Sequence, residues 1–254
     1  MGDGLTVSTD IDLLPASIAS RPGVDSAIVL VAGTGSIAMR YQRHKTGFVR
    51  TGRAGGWGHL LGDDGSGFSL GRDAARAALV ASDLHRSSNP RSEDMSHFSP
   101  LAAAVLRHIQ QSDSSCRPDD LLSGLLHPGI ESDKQPGLAP SPAGRIAQLA
   151  EVVLALAEKD ADAKAIVETG AASLSKLVVL LARGDNLDPA KTALVLGGGL
   201  LQNSFYRATT ETAIRGHLGP FAHVETVSNP ALCGAQQLLA YLSASGASLE
   251  SLQS

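Results

Sequence analysis

The sequence predicts an α/β fold, a mixed sheet with flanking helices, on three observations. Residues 27–32 (AIVLVA) are a short apolar run, which reads as a strand buried on both faces, residues 192–196 (TALVL) read as a second strand, and each runs straight into glycine. Residues 37–42 alternate larger apolar side chains with small or polar ones, the period of a strand. Much of the remainder carries apolar residues at helical spacing, with parallel crossovers expected in the last third.

Taken in order, Leu5-Thr6-Val7 reads as a short strand, and Ser8-Thr9-Asp10 supplies capping side chains for a helix over 11–18. Pro15 falls near its first turn, where it is tolerated. The strand at 27–32 leads through VAGTGS into the strand at 37–42. Gly47 turns the chain, and Phe48-Val49 begins a return strand. Residues 51–71 are rich in glycine, and a helix is expected over 69–84. A polar loop over 87–99, a helix over 101–110 and a Pro/Gly-rich loop over 126–144 follow. Helices are expected over 145–158 and 161–183, then the strand at 192–196 ending in Gly197-Gly198-Gly199. A helix near 203–216, a strand near 223–227 and a helix near 231–243 complete the chain before a frayed tail.

Composition narrows the function. The 254 residues are 43% hydrophobic but only 4% aromatic, so the core is expected to be mostly Ala, Leu and Val. The net charge is -4 and no basic patch stands out, which argues against nucleic acid as a partner. Cys116 and Cys233 form no C-x-x-C pair and no disulfide framework, which suits a reducing cytoplasmic setting. No signal peptide is evident and no run approaches 18 apolar residues, so no membrane partner is expected. The eight histidines are scattered, and no metal-ligating cluster is expected.

Gly33, Gly35 and Ala38 have the G-x-G-x-x-A spacing of a dinucleotide-binding turn. That turn needs a helix immediately afterwards and an acidic residue about 20 positions on. Here a strand follows, and the first acidic residue is Asp63. Both tests fail. Two readings remain open on these residues: a hairpin turn whose amides face an anion, with Thr34 and Ser36 adding hydroxyls, or a plain turn. The stretch GRAGGWGHLLGDDGSGFSLGRDAAR (52–76) sets many glycines around the single Trp and a carboxylate pair. An aromatic face with carboxylate acceptors suits a sugar; a mobile loop is the competing reading.

VAGTGS followed by GGWGHLLGDDGSGF closely resembles the N-acetylglucosamine kinases of eukaryotes, within the BadF/BadG/BcrA/BcrD-type ATPase group of the actin–hexokinase–Hsp70 superfamily. The resemblance extends through LVLGGGLLQNSFY (194–206) and is weakest over 85–145. It implies an actin-like ATPase (ribonuclease H-like) lobe over 26–245, a remnant of an N-terminal lobe and hinge over 1–25, and a flexible tail over 246–254.

The same resemblance implies that Thr34 and Gly35 face the ATP phosphates, that Ser36 reaches toward the sugar, and that Gly56, Trp57, Gly58 and Asp63 border it. Asp64 stands where the family usually has Glu. Asp10 takes the position of the carboxylate that holds the acceptor hydroxyl, with Asp12 as rival and a simple helix cap as the alternative reading of Asp10. Gly198, Gly199 and Asn203 would lie beside adenine or ribose, and an ordinary strand-to-helix turn is the alternative there. The implied reaction transfers the ATP γ-phosphate, with Mg²⁺, to O6 of N-acetylglucosamine.

One departure is marked. The family's opening Asp-Gly-Gly-(Gly/Thr)-Thr hairpin is not found, so weak or no turnover is expected from this chain alone. A non-catalytic nucleotide- or sugar-binding remnant and a BadF-type ATPase are the alternatives. A second copy of the chain is a candidate partner, covering exposed sheet edges.

Overall fold

A computed structural model describes residues 9–45, 47–88, 95–126, 141–184 and 186–245. The expected strand at 5–7, the tail at 246–254 and most of the loop expected over 126–144 lie outside them.

The described chain contains a five-stranded sheet in the order β3-β2-β1-β4-β5. Strand β1 is Ser26–Ala32, β2 Ser36–His44, β3 Gly47–Gly55, β4 Thr192–Gly197 and β5 His223–Val227. The first three run antiparallel, Ala32 facing Ser36 across the first turn. Strands β1 and β4 pair in parallel, as do β4 and β5. The parallel pairs need long crossovers, which the helices supply.

The predicted burial of β1 on both faces is what the packing shows, and period two sorts its side chains. Ile28, Leu30 and Ala32 enter the larger core with Leu194 and Leu196 of β4. Ala27 and Val29 turn to the other face, with Ala193, Val195, Met39 and Tyr41. Burying each such Leu or Ile contributes roughly 1.5–3 kcal/mol.

The second face is covered by α1 (Asp10–Leu13), the 3₁₀ turn Leu14–Ile18 that continues it, and α8 (Pro230–Ser245). Arg43 ties that corner to β2 by donating to the carbonyls of Ala19 and Val24 at 2.7 and 2.6 Å. The larger face is covered by α2 (Gly67–Ser88), α3 (Pro100–Ser112), α5 (Pro142–Leu156), α6 (Ala161–Gly184) and α7 (Ser204–Leu218), with the short α4 (Leu121–Leu126) beneath α3.

Two expectations need correction. The helix expected over 69–84 begins at Gly67, and the glycine-rich stretch over 51–71 is strand as far as Gly55, because residues 52–55 continue the β2 ladder. The expectation that no run is long and apolar enough for a membrane holds for uninterrupted apolar runs only. Among the described residues, α6 is long and apolar enough by length and composition, with 44% of its apolar window buried. Its contacts with α7, α2 and three strands are those of a core helix.

Candidate functional site

The site lies at the carboxyl ends of β1 and β4, where open α/β sheets place their ligands. β1 delivers Gly33-Thr34-Gly35 there, and the turn is held from several sides. Gly33 N–H donates to the Gly35 carbonyl at 2.9 Å. The first amides of α2 bind the turn's carbonyls: Gly67 N–H to Gly33 at 2.7 Å and Phe68 N–H to Thr34 at 3.2 Å. That satisfies helix-end donors which otherwise lack partners. The amides of Thr34 and Gly35 have no protein acceptor among the described residues.

Asp63 rests on this turn. Its carboxylate accepts from Ser36 N–H at 3.1 Å, while the Ser36 hydroxyl donates to the Asp64 carbonyl at 2.9 Å. A Cβ at Gly35 would lie 3.1 Å from both Asp63 oxygens, so glycine there lets the carboxylate approach. Asp63 itself has φ of 59°, the left-handed region that Asp tolerates better than most residues.

Two cavities flank the turn. One, of 610 Å³, is lined by Gly33, Thr34, Gly67, Gly199 and α5, which contributes Gln148, Glu151 and Leu154. The other, of 150 Å³, is lined by Ser36, Trp57, Asp63 and Asp64, and from α6 by Ser173 and Lys176. Trp57 is 64% exposed, and Leu60 and Leu61 beside it are exposed too. His59 packs on Phe68 at 4.9 Å between ring centres. A third cavity, of 280 Å³, lies at the opposite ends of β1 and β4, lined by Asp25, Asp188 and Lys191 and away from the turn.

The structure thus brings Thr34, Ser36, Trp57 and Asp63 together on the two sides of one turn. Gly35 underlies Asp63 as described. Gly56 lies against Ile37, its N–H donating to the Ser36 carbonyl at 3.0 Å, and Gly58 closes the Trp loop by accepting from Gly62 N–H at 2.8 Å. The C-terminal glycines divide. Gly199 lines the larger cavity, whereas Gly198 packs on the backbone of Ala32. Asn203 caps α7, its side-chain oxygen accepting from Tyr206 N–H at 2.9 Å.

Asp10 lines neither cavity flanking the turn. It is exposed in the first turn of α1, on the sheet face away from α2, α5 and α6. The helix cap is Thr9, not Asp10, with Asp12 completing the capping box. Asp12 is engaged further: Tyr41 Oη donates to it at 2.8 Å, and Arg50 lies at 3.7 Å. Burial works against its ionisation, but the bonds from Thr9 and Tyr41 together with Arg50 outweigh that and lower its pKa.

Sequence reasoning missed the helical walls, Gln148, Glu151 and Leu154 of α5 and Ser173 and Lys176 of α6. A faint signal for α5 is Gly71 in α2. A Cβ there would lie 1.8 Å from the Ile146 carbonyl, so only glycine admits the close helix crossing.

No protein-family profile matches the chain. Among curated proteins, it is 29% identical over 194 residues to the N-acetylmuramic acid/N-acetylglucosamine kinase of Clostridium acetobutylicum, covering 75% of this chain and 54% of that one. It is 29% identical over 132 residues to the N-acetyl-D-glucosamine kinase of Dictyostelium discoideum, covering 52% of this chain and 36% of that one. The chain is therefore similar in sequence to two proteins named as kinases of N-acetylglucosamine.

It spans about half or less of the length of these curated kinase relatives. Solved structures agree on the fold. Proteins provisionally named N-acetylglucosamine kinases from Chromobacterium violaceum and Porphyromonas gingivalis superpose with TM-scores of 0.54, at 24% and 18% identity. They cover 90% and 91% of this chain, and 63% and 64% of their own. The expected α/β fold, a mixed sheet with flanking helices, is therefore the observed one.

Proposed function

We propose that this chain provides the nucleotide- and sugar-binding lobe, residues 26–245, of an N-acetylglucosamine kinase that transfers the ATP γ-phosphate to O6 of N-acetyl-D-glucosamine. One observation carries the reading. A turn whose Thr34 and Gly35 amides have no protein acceptor among the described residues stands between a cavity large enough for a nucleotide and a smaller one bearing an indole and a carboxylate. ATP enters the 610 Å³ cavity with its phosphates toward Thr34 and Gly35 and its nucleoside toward Gly199. The hexosamine takes the 150 Å³ cavity, stacked on Trp57 with hydroxyls donating to Asp63.

In the transfer, the O6 oxygen bonds to the γ-phosphorus as the bond to the ADP oxygen breaks, and a carboxylate takes the hydroxyl proton. The resemblance gives that carboxylate to Asp10, which lines neither cavity of this chain. Mg²⁺ fits the donor set, since it keeps water and phosphate ligands and needs few protein oxygens. The Thr34 hydroxyl and the Glu151 carboxylate line the cavity and would hold it. When bound, it neutralises charge on the phosphates.

Calorimetry with N-acetylglucosamine and with ATP, followed by ADP release with Mg²⁺, tests the proposal. Asp63→Ala is expected to weaken the sugar about tenfold, the worth of one charge-assisted hydrogen bond, while sparing ATP. Asp10→Asn is expected to abolish any residual transfer with ATP binding intact, and equal turnover in the variant moves the proton acceptor to another residue. Binding without turnover favours a non-catalytic remnant, and ATP hydrolysis without sugar favours the ATPase alternative.

A second substrate reading has its own observation. Lys176 lines the sugar cavity and forms no ion pair among the described residues, and a neutral hexosamine offers it no counter-charge. An amino sugar bearing a carboxylate would, and the Clostridium relative is named for one. Lys176→Met is then expected to weaken N-acetylmuramic acid about threefold, as for an exposed ion pair, and leave N-acetylglucosamine unchanged.

A further inference from the structure

Gly65 ends the carboxylate stretch Asp63-Asp64 and is held on three sides. Its N–H donates to Ser69 Oγ at 2.9 Å. Its carbonyl accepts from Tyr206 Oη at 2.7 Å, across 141 residues of chain. A Cβ on it would lie 2.5 Å from the Gly170 carbonyl of α6 and 2.7 Å from Leu174, and its φ is 80°. Gly170 is matched to the same arrangement, since a Cβ there would lie 2.8 Å from Tyr206 Oη.

Tyr206 is fully buried, and burial raises its pKa, so the phenol stays a proton donor across ordinary pH. It belongs to the strand-to-helix element at the nucleotide side, where Asn203 caps its amide. Its hydroxyl acts on the loop of the sugar side. Ser66 N–H returns to the Asp63 carbonyl at 3.0 Å, so Gly65 and Asp63 share one tight turn.

We infer that Tyr206 is a positioning residue: its hydroxyl fixes Gly65 and thereby sets the left-handed turn that lays the Asp63 carboxylate on Ser36 N–H. This rests on the proposed sugar site for its consequence in binding, but not for the geometry itself. The ring fills the core with or without the hydroxyl, so the single oxygen is the functional part.

The test is Tyr206→Phe in the whole chain, with three readouts: thermal melting, amide exchange at Ser36, and acrylamide quenching of Trp57, the single tryptophan. Loss of one buried hydrogen bond is expected to speed Ser36 exchange about tenfold and to weaken N-acetylglucosamine about five- to tenfold, with ATP binding within about twofold. Trp57 quenching is expected to rise while far-UV circular dichroism stays that of wild type. Gly170→Ala, which presses a methyl against the same hydroxyl, is expected to reproduce the pattern.

Wild-type Ser36 exchange and Trp57 quenching in both variants would overturn the inference. So would sugar and ATP affinities falling together in step with loss of fold. Should the wild type bind no sugar, the proposed function fails, and Ser36 exchange by itself still decides the role of Tyr206.

Discussion

Gly198→Ala tests how the turn after β4 meets the end of β1. Gly198 has φ of 90° and ψ of 156°, a region essentially closed to residues with a Cβ. Holding alanine there costs about 1–3 kcal/mol. The added methyl would also sit 2.4 Å from the Ala32 carbonyl oxygen, 2.7 Å from its carbon and 3.0 Å from its nitrogen. Backbone atoms cannot rotate away, so the strand ends must part, an overpacking cost of about 1–3 kcal/mol.

Together these give roughly 2–6 kcal/mol, and at about 2–4 °C per kcal/mol for a chain of this size the Tm falls by roughly 4–24 °C. Gly199→Ala is the control. Nothing lies within 4 Å of its Cβ position and its φ is not positive, so stability is expected to change by no more than about 0.5 kcal/mol. Gly199 lines the larger cavity, so its variant is read in ATP affinity instead. Thermal melts by circular dichroism and ATP titrations of both variants give the answer. A Gly198→Ala protein melting within about 2 °C of wild type would refute the reasoning.

Two further outcomes follow from titrating groups. Because its folded pKa is lowered, Asp12 stabilises the fold above the ordinary carboxylate range, and that contribution fades as pH falls through the folded value. Asp12→Asn is therefore expected to lower stability at neutral pH by about 1 kcal/mol and to match wild type near pH 2 in urea titrations; a gap persisting in acid contradicts the assignment. Burial, with Asp113 and Asp120 adding to it, pushes the Cys116 thiol up to about 11. Its thiolate fraction at pH 8 is then about one in a thousand, so native alkylation followed by mass spectrometry should run at least ~100-fold slower than in denaturant. Comparable rates would show an accessible thiolate.

The sequence by itself determined the strands and the turn between them. The run AIVLVA is buried on both faces of β1, and the alternation of 37–42 lies within β2, because strand burial is written with a local period of two. That Trp57 and Asp63 meet Ser36 was implied by the resemblance of the two motifs to the kinase family, and one hairpin joins those motifs in the chain.

Tertiary structure alone decided the walls and where several candidate residues sit. Glu151 and Lys176 reach the cavities from helices about 115 to 140 residues beyond the turn, through close crossings such as Gly71 on Ile146. Complementarity between distant surfaces leaves no periodic trace in either segment. Gly198 and Asn203 carry a ligand motif's spacing, and in the fold Gly198 packs on the Ala32 backbone while Asn203 caps the first turn of α7. Asp10 and Asp12 were two positions apart on paper. What separates them is Tyr41 and Arg50 on neighbouring strands, which reach only Asp12.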